Sequence, residues 1–117
     1  MLSVVSAGDV AVVRLTGRLT IGEGLDELRS VVEMLAADEP RHVVLDLADV
    51  TWLDSAALGE IVACRRLVQQ AGRNFAVAGA RGRVRDLIEL TRLDRLVDLQ
   101  DDRESAIRAV GQPGGCG

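Results

Sequence analysis

Asp46, Asp49 and Asp54 fall close together in the chain, and Asp54 is followed directly by Ser55. Three carboxylates so spaced are able to hold Mg²⁺. The simpler reading is a solvated turn followed by a helix cap. The remaining reactive groups are sparse. His42 is the only histidine, and it opens an apolar run, which suits a strand-edge residue better than a catalytic base. Cys64 and Cys116 lack metal-ligand spacing, and with His42 they total fewer than the four ligands a structural zinc site usually takes. Cys64 reads as a small core residue and Cys116 as an exposed thiol in a tail. All 14 basic residues are Arg, so neither a Schiff-base lysine nor a phosphate-loop lysine is available. Gly22-Glu23-Gly24 and Gly79-Ala80-Arg81-Gly82 each fall short of a dinucleotide fingerprint. Arg81, Arg83 and Arg85 at a helix start are able to meet an anion, though such runs are more often simply hydrated. No catalytic residue, metal site or cofactor is assigned.

The feature with the sharpest chemistry is Leu53-Asp54-Ser55-Ala56-Ala57-Leu58-Gly59, where a strand ends and a helix begins at once. Asp54 suits the N-cap, leaving Ser55 in the first turn with its hydroxyl in solvent beside free backbone N–H groups. Pattern alone makes this a cap. The same geometry also presents the hydroxyl to a kinase.

Elements that position this turn follow from periodicity. Leu2–Ser6 and Val10–Leu15, joined through Ala7-Gly8-Asp9, predict an antiparallel hairpin that Gly17 ends. Thr20 and Glu23 match a capping box, and Leu25, Leu28, Val31, Val32 and Leu35 follow at helical spacing, predicting a helix over about 22–37. Pro40 stops it. Val43–Leu47 reads as a central strand buried on both faces, with a short connection before Thr51-Trp52-Leu53. The next helix has a predicted inner stripe of Leu58, Ile61, Val62, the Arg65 stem and Val68, with Cys64 beside it and Gly72 as its stop. Phe75–Ala78 predicts a strand, Val84, Leu87 and Ile88 a short helix, and Leu96–Leu99 a last strand. Asp101 or Asp102 then caps a helix carrying Ala106, Ile107 and Val110. The ββαβαβαβα order defines an α/β fold with a mixed four- to five-stranded sheet and about four helices. It fills one domain, 1–110, before a flexible Gly-rich tail, 111–117.

The chain has 117 residues, 48% of them hydrophobic and 2% aromatic, so its core is built from Val, Leu, Ile and Ala. The formal charge of −4 argues against direct nucleic-acid binding and against an anionic membrane surface. No apolar run reaches the ~18–20 residues of a membrane span, and the amino terminus lacks a signal-peptide pattern. A cytoplasmic location is expected.

Several stretches together resemble the STAS domain, and within it the bacterial anti-sigma factor antagonists. They are Arg14-Leu15-Thr16-Gly17, Arg41–Leu47, Leu53-Asp54-Ser55 with Leu58-Gly59, and Val84–Leu93. The resemblance implies a switch rather than an enzyme. Its phosphoacceptor would be Ser55, modified by an anti-sigma factor that is itself a GHKL-type Ser kinase and reset by a PPM-type phosphatase. The unmodified protein would bind the anti-sigma factor and free the sigma factor. The docking surface implied comprises Asp54, Ser55, Ala56, Ala57, Leu58, Thr20 and Ile21. Three departures from the family pattern stand out: Ala56 in place of Ser or Thr, Ala57 in place of Gly, and Arg18-Leu19-Thr20 in place of a Glu-Leu-Asp-like segment. The alternative is a STAS scaffold or adaptor without phosphorylation, in a stress-signalling or transporter-associated complex.

Overall fold

The structure, a computed structural model, describes residues 1–37 and 40–111. Strand β1 (Leu2–Ala7) turns through Gly8-Asp9 into β2 (Val10–Leu19), and helix α1 (Leu25–Ala37) leads to β3 (His42–Leu53). Helix α2 (Ser55–Gln70), β4 (Phe75–Ala78), α3 (Gly82–Leu90), a 3-10 turn at Leu93–Arg95, β5 (Asp98–Gln100) and α4 (Arg103–Gly111) complete the chain. The strands lie in the order β1-β2-β3-β4-β5. The β1–β2 pair is antiparallel, and β2–β3, β3–β4 and β4–β5 are parallel. The sheet is therefore mixed, as the element order predicts.

Strand β3 shows why its apolar run is continuous. Val43, Leu45 and Leu47 face a core shared with Leu28 and Val32 of α1, Ile61, Cys64 and Val68 of α2, and Val84 and Ile88 of α3. Val44 faces the other way, against Ala106 and Val110 of α4. Helices thus cover both faces, and the two-residue period of a strand directs alternate side chains into two cores.

Five local expectations are corrected. Gly17 does not end β2. It takes φ +86°, the pairing register shifts between Gly17 and Arg18, and the strand continues to Leu19, opposite Leu53. Glycine permits this bulge, and burial of Leu19 holds the strand beyond it. Strand β3 is likewise unbroken to Leu53, because the lengthened β2 pairs with it up to that residue. Helix α1 begins at Leu25, because Thr20 and Glu23 exchange backbone hydrogen bonds of 3.0 and 2.8 Å. Those two residues form a tight turn, not a capping box. The inner stripe of α2 is Ala57, Ile61, Cys64 and Val68, one step round from the prediction, leaving Leu58, Val62 and Arg65 half-buried. The last strand also starts later than predicted, at Asp98, since Leu93–Arg95 forms the 3-10 turn.

Gly72, at φ +79°, follows α2 as predicted, and Asp102 caps α4 by accepting from the Ser105 N–H at 2.8 Å. Gly111, assigned to the tail, is the last residue of α4. The rest of the predicted tail, 112–117, lies outside the described residues.

Candidate functional site

The turn from β3 into α2 is built on Asp54. Its backbone is extended, at φ −103° and ψ 178°, and Oδ1 accepts the Ala57 N–H at 2.8 Å. That is the N-cap bond, satisfying one of the donors that a helix start leaves free. The other carboxylate oxygen, Oδ2, accepts the Ile21 N–H at 3.0 Å. A second link runs between the backbones, from the Asp54 N–H to the Leu19 carbonyl at 3.4 Å. Asp54 therefore ties the loop after β2 to the start of α2. Two N–H donors, Ile21 first and Ala57 second, hold its carboxyl below the usual carboxylate range.

Ser55 is the first residue of α2 and is exposed. Ile21 is 75% exposed, a large apolar side chain in solvent on the loop that Asp54 tethers. Ala56 and Leu58 are half-buried and pack against the core. Two residues of the predicted surface cannot contribute side chains to it. Ala57 is fully buried on the inner stripe of α2, and Thr20 is buried as its backbone forms the tight turn with Glu23. The surface reduces to Ser55 and Ile21, flanked by Asp54, Ala56 and Leu58. The Ala57 methyl points into the core.

Two contributors went unnoticed in the sequence. The Ile21–Asp54 bond joins residues too far apart in the chain for any local pattern to suggest it. Trp52, 40% exposed, stands two residues before Asp54 and lines an apolar groove with Arg83, Leu87 and Leu90 of α3. Its alternation with buried Leu53 was the available signal.

The three carboxylates considered for a metal diverge. Asp46 is buried on the α4 face, where Arg103 donates to it through Nε at 3.2 Å and through Nη2 at 3.0 Å. Asp49 pairs with Arg14 at 2.6 Å, and Asp54 holds the two backbone amides. Among the described residues no three His, Cys, Asp or Glu side chains group closely enough to hold a metal ion. His42 accepts the Asn74 N–H at Nδ1, 3.0 Å, and lies 3.6 Å from Asp9 through Nε2, a strand-start position. Arg85 is engaged by Glu89 and Asp101. Cys64 is a core residue, its thiol pushed up to about 12 mainly by burial, so thiolate reactivity is suppressed. No helix among the described residues is long and apolar enough to cross a membrane.

A mixed sheet opened by an antiparallel hairpin, with a capped Asp-Ser turn at the end of its central strand, defines a recognised class. The profile of the STAS domain matches residues 1–106, and the chain belongs to that family. Within it, the chain is similar to an anti-sigma F factor antagonist of Paenibacillus polymyxa, 26% identical over 98 residues and covering 84% of each chain. It also resembles the crystal structure of an anti-sigma factor antagonist from Mycobacterium paratuberculosis, with a TM-score of 0.84 and 28% identity over 96% of this chain and 94% of that one. The Bacillus cell fate determinant SpoIIAA in its phosphorylated form has a TM-score of 0.71 at 14% identity, covering 92% of this chain and 97% of that one. At that identity the likeness is one of fold.

Proposed function

We propose that this chain is an anti-sigma factor antagonist whose binding surface is the start of α2 with the tethered Ile21 loop, and that phosphorylation of Ser55 switches it off. The observation that carries the reading is the exposed Ser55 at a helix start rigidly held by Asp54. The relatives named as antagonists support the class of partner, an anti-sigma factor. On this reading the partner is a GHKL-type Ser kinase and a PPM-type phosphatase restores the hydroxyl. The chain itself acts in the cytoplasm as a binding module, not as an enzyme, and regulates sigma-factor-dependent transcription in a stress response.

The physics favours switching by contact rather than by refolding. A phosphate adds about −1.5 to −2 charges. The α2 N-terminus favours that charge by roughly 0.3–1 kcal/mol, while the adjoining Asp54 carboxylate opposes it. Ser55 makes no side-chain hydrogen bond within the described residues that would have to break. The fold therefore stays as it is. In a docked complex, the same charge is removed from water without a partner cation, which costs several kcal/mol, or more than about a hundredfold in affinity. Ile21, an apolar contact beside the switch, supplies area that desolvates the serine when a partner docks.

The test is the intact mass of the chain from its native host beside Ser55→Ala, followed by titration of each form against the host's anti-sigma factor. A phosphate-sized adduct on the wild type alone, with binding lost on phosphorylation, is the expected result. Absence of the adduct under every growth and stress condition moves the assignment to an unphosphorylated STAS scaffold.

A further inference from the structure

The two edges of the sheet are defended very differently. Strand β5 is three residues long, carries exposed Asp98, and is followed by Asp101 and Asp102. Short length and charge are the usual protections of a free edge. Strand β1 has neither. Its six residues, Leu2-Ser3-Val4-Val5-Ser6-Ala7, contain no charge and no proline, and Val4 and Val5 are 43% and 45% exposed.

The register of the hairpin shows which backbone groups this edge leaves open. Met1 and Thr16 exchange both hydrogen bonds, at 2.9 and 3.1 Å, and Ala7 faces Val10 across the two-residue turn. In an antiparallel ladder such bonded pairs alternate. Ser3, Val5 and Ala7 therefore direct their N–H and C=O groups toward β2. Leu2, Val4 and Ser6 direct theirs outward, and no hydrogen bond from elsewhere in the described residues reaches them. Arg41 lies at that end of the strand, but it donates to the Ser6 hydroxyl and to the Gly8 and Val10 carbonyls, not to the outward groups.

We propose that β1 pairs antiparallel with β1 of a second copy of this chain, forming a continuous ten-stranded sheet about a two-fold axis at Val4. The open groups are self-complementary about that residue. Val4 exchanges both bonds with its counterpart, and Leu2 exchanges both with Ser6 of the other copy, giving about six backbone hydrogen bonds in all. The two Val4 side chains meet on one face, and Val5 lies beside Ser3 of the other copy on the opposite face, pairs that suit a sheet surface. A second copy is the partner that matches this edge in register, length and absence of charge at once; pairing through β5 would instead bring acidic residues together. The antiparallel axis sends the two Ser55 turns to opposite ends of the joined sheet, so each site stays open. The inference is independent of the reading of Ser55.

The test is sedimentation equilibrium of the whole chain over a range of concentrations, under reducing conditions, beside Val4→Pro and Val4→Glu. Proline at Val4 removes an outward N–H and no bond to β2. Glutamate places two carboxylates on the axis. The expected result is a reversible wild-type dimer, with each variant weakening self-association at least about tenfold and an unchanged far-ultraviolet circular dichroism spectrum. If Val4→Pro fails to fold, Val4→Glu decides. Amide exchange should slow at Leu2, Val4 and Ser6 as concentration rises. A monomer at all concentrations, a dimer indifferent to the folded variants, or protection appearing at β5 instead would overturn the proposal.

Discussion

Asp46 and Asp54 come from the same segment, one within β3 and one just past its end, yet they do opposite work. Asp46 is 4% exposed and meets a guanidinium, Arg103, together with the Ala48 N–H at 3.0 Å. It fastens α4 to the underside of the sheet. Asp54 is half-exposed and meets only backbone amides, from the Ile21 loop and from α2. It sets the shape of a surface. A charge paired with a charge inside the fold gives architecture, because leaving either one alone there is costly. A charge holding amides at the rim orders a turn while its neighbour Ser55 stays accessible.

The largest effect should come from breaking the interior pair. Arg103→Met leaves the Asp46 carboxylate buried opposite an apolar side chain and should lower stability by about 2–3 kcal/mol in urea unfolding. This is below the value for a fully enclosed pair, since the Arg103 side chain is 38% exposed. Little change in the unfolding midpoint would mean that Asp46 is hydrated rather than latched.

A smaller effect should follow at the rim. Asp54→Asn keeps an oxygen for the Ala57 N–H and weakens the tether to Ile21, so it should destabilise less than Arg103→Met while speeding amide exchange at Ile21. The pH dependence has a definite sign. Because the folded Asp54 carboxyl lies below its ordinary value of 3.8, its contribution is fully present above that value and is lost as pH falls through the lower folded one. The stability gap between wild type and Asp54→Asn should therefore close in acid. A gap that persists at low pH would assign the effect to something other than ionised Asp54.

The smallest effect on stability belongs to Ser55→Ala, within about 0.5 kcal/mol, since the side chain is exposed. That near-neutrality sharpens the contrast. A residue whose loss barely touches folding, but removes the phosphate adduct and the switching of partner binding, acts on function alone. A large drop in stability would instead make Ser55 part of the cap.

Much of this contrast was legible in the chain. The apolar run Val43–Leu47 marks a strand covered on both sides, and Asp54 before an apolar helix marks a cap, because strand and helix periods and capping are local physics. The resemblance in Leu53-Asp54-Ser55 located the candidate switch. The tight turn at Thr20–Glu23 was misread for a reason of the same kind. A capping box and a backbone-paired turn share residue types, and what favours the turn is non-local: Leu19 buried beside β3 and Asp54 waiting for the Ile21 amide.

By itself, then, the sequence determined the order of elements, the parallel sheet with its antiparallel hairpin, and the helix start that presents Ser55. Only the tertiary structure decided which carboxylate is a latch and which a tether, which residues of the turn face solvent, and which sheet edge is left open. Hydrophobic period and capping act over a few residues, whereas ion pairing, burial and edge exposure depend on partners brought together from distant parts of the chain.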